Sequence, residues 1–104
     1  MNTERQETDL GKIIELSEIM LDNARHMRWD DLTQVESERK RLLSVFFSQP
    51  IALQKGDVAE GIRSILKKDR EIMLLAVTKR DGLRDALQKV KQGKDAVQAY
   101  AAAG

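Results

Sequence analysis

IRSILKKDREIMLLAVTKRDGLRDALQKV, residues 62–90, decides the fold of this chain. Ile62, Ile65, Ile72, Ala76, Leu83, Ala86 and Val90 follow one another in the steps of three and four that place side chains on one face of an α-helix. Leu66, Met73 and Leu87 widen that stripe along one flank. Asp69 and Lys79 stand where the pattern calls for apolar residues. Upstream, Gly56 and Asp57 supply a helix start with Asp57 as the expected N-cap, and Gly93 supplies a C′ position after the last turn. The spacing predicts a helix over about 57–92, roughly 50 Å long at about 1.5 Å per residue. Gly61 and Gly82 weaken it locally, each by about 1 kcal/mol relative to Ala.

Outward from this rod, Pro50 marks the clear break, because proline cannot continue a helix and biases Gln49 away from helical angles. Before it, Trp29, Leu32, Val35, Leu42 and Phe46 share a face, with Leu43 and Phe47 beside them, which predicts a second helix over about 29–48. Glu36 and Arg39 interrupt the middle of that stripe. Leu10, Ile13, Ile14, Ser17, Met20, Leu21 and Ala24 predict a first helix over about 5–26, with Thr3 and Gln6 at capping-box spacing near its start. The short connection around His26 to Arg28 makes the first two helices antiparallel neighbours. Beyond Gly93, the Ala-rich KDAVQAYAAAG predicts a short C-terminal helix over about 94–102. The expected fold class is therefore all-α: one domain over 1–104, an antiparallel helical bundle of three long helices plus a short C-terminal helix.

Composition narrows the function. No cysteine is present, which removes disulfide scaffolding and thiolate chemistry. Eighteen Lys and Arg against 17 Asp and Glu leave almost no net charge, which argues against a phosphate-neutralising nucleic-acid binder and against a polybasic membrane binder. The polar start MNTERQETDL is not a signal peptide, and the apolar clusters 42–47 and 72–77 are too short to span a bilayer, so a cytosolic protein without membrane insertion is expected. His26 is the one histidine, with Asp30 at i+4 as its nearest helically spaced carboxylate, which is too little for a metal site or an acid–base pair. No Walker sequence, GxGxxG or GxSxG occurs. Neither catalytic, cofactor-binding nor metal-ligating residues emerge, and an enzyme is not expected. The charged run Glu38 to Arg41 reads as a solvated face.

The apolar surplus carries the functional signal. Two helices of about twenty residues cover a rod of about thirty-five incompletely, which leaves the stretch Leu83 to Val90 for the tail, a second copy or a partner. Met20, Met27 and Met73 add the adaptable surface found at permissive grooves.

Four blocks in this order resemble the FliT-type flagellar export chaperones. They are IIELSEIMLDNARHMRWDDL, which closes at Trp29 and Asp30; LTQVESERKRLLSVFF; the break at Pro50 followed by IRSILKKDREIMLLAVTKRDGLRDAL; and the tail KDAVQAYAAAG. The resemblance covers nearly the whole chain. It implies a cytosolic chaperone that binds the C-terminal region of the flagellar filament-cap protein. Such a chaperone prevents early assembly of the cap protein and delivers it to the type III export gate and its ATPase complex. In some bacteria it also restrains a flagellar transcription regulator. Carried over to this chain, Leu83, Leu87 and Val90 become the partner-binding groove, with Met73 and Ala76 further up the stripe and Leu42 and Phe46 as its wall. Val97 and Tyr100 become a lid over that groove. The competing expectation is a homodimeric bundle that serves as an adaptor or regulator of flagellar gene expression.

Overall fold

The computed structural model describes residues 2–79 and Lys91. The described residues form three helices and no strand: α1 over Asn2–Arg25, α2 over Trp29–Phe47 and α3 over Lys55–Lys79. Of the long rod expected to residue 92, positions 80–90 and 92 lie outside the described residues, as does the short helix expected over 94–102.

The apolar stripes do what their spacing demands. One core cluster joins Leu10 and Ile13 of α1 to Leu43 and Phe46 of α2 and to Val58, Ile62 and Ile65 of α3. A second joins Met20, Leu21 and Ala24 of α1 to Leu32 of α2 and Ile72 of α3. Partners therefore descend along α2 and ascend along α3 as α1 is followed from its N-terminus. Each of the buried Val, Leu, Ile, Phe and Met side chains in these clusters contributes roughly 1.5–3 kcal/mol on burial. α1 is the central element: its backbone approaches both α2 and α3, whereas α2 and α3 nowhere come within 8 Å, Cα to Cα, among the described residues.

The chain enters α1 earlier than the capping-box spacing suggests. Gln6 is buried inside the helix rather than at its mouth, and its amide clamps the α2–α3 loop. Gln6 Nε2 donates to the Pro50 carbonyl at 2.8 Å, and the Ala52 N–H donates to Gln6 Oε1 at 2.8 Å. One side chain thus satisfies an acceptor and a donor of a loop that has no ladder of its own. Ile51 and Leu53 of that loop pack on the first cluster. α3 starts at Lys55, two residues before the expected cap. The Gln54 carbonyl accepts the first α-type bond, from the Val58 N–H at 3.1 Å. Asp57 lies in the first turn, where its charge opposes the positive end of the helix dipole.

α1 ends in a Schellman motif. The Arg28 N–H donates to the Asn23 carbonyl at 2.8 Å and the Met27 N–H to the Ala24 carbonyl at 3.2 Å, with Met27 at φ 58°. The side chain of Arg28 closes the same turn, with Nε donating to Asn23 Oδ1 at 3.3 Å and Nη2 paired with Asp22 at 2.9 Å.

Candidate partner-binding surface

Between the two apolar clusters lies a sealed polar layer with one contribution from each helix. Ser17, Arg39 and Asp69 are all 0 % exposed. Arg39 Nη1 donates to Asp69 Oδ1 at 2.7 Å and to Ser17 Oγ at 3.1 Å, while the Ser17 hydroxyl donates back to the Ile13 carbonyl at 2.9 Å. Glu36, 3 % exposed, sits one turn before Arg39 on the same face of α2. α2 and α3 have no Cα pair within 8 Å among the described residues, and the long Arg39 side chain reaches from α2 to Asp69 of α3. The layer joins the three helices.

The expected interaction residues divide by burial. Phe46 and Ala76 were expected on the binding surface, but at 2 % and 4 % exposure they are core residues here. Phe46 is enclosed because it points into the first cluster and meets Phe47 edge to face, with ring centroids 5.0 Å apart. Ala76 continues the inward face of α3 one turn after Ile72. Leu42 and Met73 are half-buried, on the flanks of the first and second clusters respectively. Leu83, Leu87, Val90, Val97 and Tyr100 lie outside the described residues.

The structure adds surface that stripe counting passed over. Leu74 is 64 % exposed and Val77 62 %, more than the other large exposed apolar residues described, Ile19 and Met27. The sequence signal was there: residues 72–77, IMLLAV, are six apolar residues in a row. At 3.6 residues per turn a helix cannot turn six successive side chains inward. Ile72 and Ala76 face the core, Met73 and Leu75 flank it, and Leu74 and Val77 are left outside.

His26 is exposed in the α1–α2 turn, its Nδ1 2.8 Å from the Asp22 carbonyl. Among the described residues no group of His, Cys, Asp and Glu could hold a metal ion, and no helix is long and apolar enough to cross a membrane. Exposed apolar side chains on a helical scaffold are part of the described surface.

A family model described as flagellar protein FliT matches residues 7–102 of the chain. No curated protein and no solved structure matches it. The matched stretch takes in all of α2 and α3, the Ser17–Arg39–Asp69 layer and the outward Leu74 and Val77, and the chain belongs to the FliT family of flagellar proteins.

Proposed function

We propose that this protein is a cytosolic type III export chaperone that binds the C-terminal region of the flagellar filament-cap protein, prevents its premature assembly and delivers it to the export apparatus. The family match over residues 7–102 carries this reading, since it belongs to a flagellar protein family rather than an enzyme family. The exposed apolar residues at the end of the described part of α3 support it, because a chaperone for an aggregation-prone helix must keep greasy surface in reach. In this reading the chain is one antiparallel bundle closed by a short final helix. Leu83, Leu87 and Val90 form the groove, Met73 and Leu42 border it, and Val97 and Tyr100 form a lid. The export ATPase complex and a flagellar transcription regulator are further partners of the same molecule.

A lid that competes with the client lowers apparent affinity by the fraction of time it is closed. Isothermal titration calorimetry with a peptide from the C-terminus of the cap protein tests both parts. The full chain binds the peptide, and deletion of the residues after Gly93 tightens binding. No heat with either chain discards the chaperone reading. Equal affinity of the two chains discards the lid alone. A stable dimer in light scattering that ignores the peptide favours the homodimeric adaptor.

A further inference from the structure

The solvent face of α3 carries a second pattern, distinct from its buried stripe. Arg63, Lys67, Arg70, Leu74 and Val77 follow in steps of four, three, four and three, so they form one exposed line along the helix. The line is segregated by length: three cations first, then two apolar side chains more than 60 % exposed. None of the three cations makes an ion pair among the described residues. Glu71, the nearest carboxylate after them, is turned to Arg25 at 3.1 Å, and Lys68 beside them donates to Ser64 Oγ at 2.7 Å. Like charges at these spacings repel along a helix, a cost that facing carboxylates would remove. Glu60, one turn before Arg63, ends the line with the opposite charge.

We propose that this line is a docking strip for an acidic amphipathic helix of a partner protein, with carboxylates along one half of its length and apolar residues along the other. Charge complementarity sets the first half and the need to cover Leu74 and Val77 sets the second. Five side chains suit one docked helix. They fall far short of the roughly 20–30 residues a side of a stable dimer interface. The acidic helix of a second copy does not match the pattern either. Glu15, Glu18 and Asp22 of α1 surround its exposed Ile19 instead of preceding an apolar half, and Asp22 is already paired with Arg28. Duplex DNA would satisfy the cations but leave the apolar half bare. The strip uses the outer face of α3 and does not depend on the chaperone reading.

The test uses the full chain and a synthetic three-heptad helical peptide. Its seam positions carry Glu in one half and Leu in the other. A control of equal composition has Glu and Leu alternating along the seam. By fluorescence anisotropy the segregated peptide binds about tenfold or more tighter than the control, and added salt weakens it. The triple change Arg63→Glu, Lys67→Glu, Arg70→Glu lowers affinity at least about tenfold, and so does Leu74→Ser with Val77→Ser, whereas Lys12→Glu on α1 leaves it unchanged. Circular dichroism checks that each variant is as helical as the parent, which these exposed positions permit. Equal binding of the two peptides overturns the proposal. So does an equal loss on Lys12→Glu, tighter binding of duplex DNA than of the segregated peptide, or self-association that the Leu74 and Val77 changes abolish. Because the probe is synthetic, failure here leaves the cap-protein measurement standing, and the reverse also holds.

Discussion

Met27 holds φ at 58°, a left-handed conformation that costs an L-residue with a Cβ roughly 1–2 kcal/mol. It sits at the C′ position of the α1 Schellman turn, where glycine is the usual occupant. Its side chain is 42 % exposed, so little packing is lost on removing it. Glycine's greater freedom in the unfolded chain returns part of the gain. Met27→Gly is therefore expected to raise stability by about 0.5–1 kcal/mol. Urea unfolding measures it, and an unchanged or lower midpoint contradicts the backbone argument. The same turn shows how two polar side chains replace the hydrophobic contact that such motifs often carry: Arg28 bonds Asn23 directly.

At the scale of elements, two glycines on neighbouring helices separate intrinsic propensity from packing. Gly11 of α1 is exposed, and a Cβ built there meets nothing within 4 Å. Gly61 of α3 is buried, and its Cβ would stand 3.0 Å from Leu10 Cδ2 and 3.2 Å from Cδ1. Close approach of α3 to α1 at Leu10 is what the glycine permits. Gly11→Ala is expected to stabilise by about 0.5–1 kcal/mol. Gly61→Ala forfeits that gain, because Leu10 must shift inside the first cluster to make room. Thermal unfolding of the two variants checks the contrast, and equal increases would mean that Leu10 moves aside at no cost.

Across the whole molecule, the Ser17–Arg39–Asp69 layer ties together three helices, two of which have no backbone approach. Removing one partner strands the other charge in a dry interior. Asp69→Ala is expected to cost roughly 3–5 kcal/mol. Replacing the charged members together, as Glu36→Leu, Arg39→Met and Asp69→Leu, returns stability to within about 1 kcal/mol of the parent or above it, since desolvation of the ions is then avoided. Chemical denaturation of the single and triple variants decides this. A triple variant as unstable as Asp69→Ala would mean that the layer stabilises outright.

The sequence by itself determined that the described residues are helical, where those helices turn over, and which apolar side of each faces inward, but the run Glu38 to Arg41, read as a solvated face, holds the fully buried Arg39. Those properties depend on periods of three and four and on single breakers such as Pro50, which are local and legible residue by residue. It also displayed Ser17, Arg39 and Asp69 as separate polar faults in three apolar stripes. Only the tertiary structure decided that these faults coincide in one layer, because their sequence separations of 22 and 30 residues give no sign of who meets whom. The tertiary structure likewise withdrew Phe46 and Ala76 from the surface, left Leu74 and Val77 outside, and turned Gln6 from a capping residue into a clamp on Pro50 and Ala52. Each outcome depends on which neighbour occupies the space opposite, and that is set by packing among segments far apart in the chain.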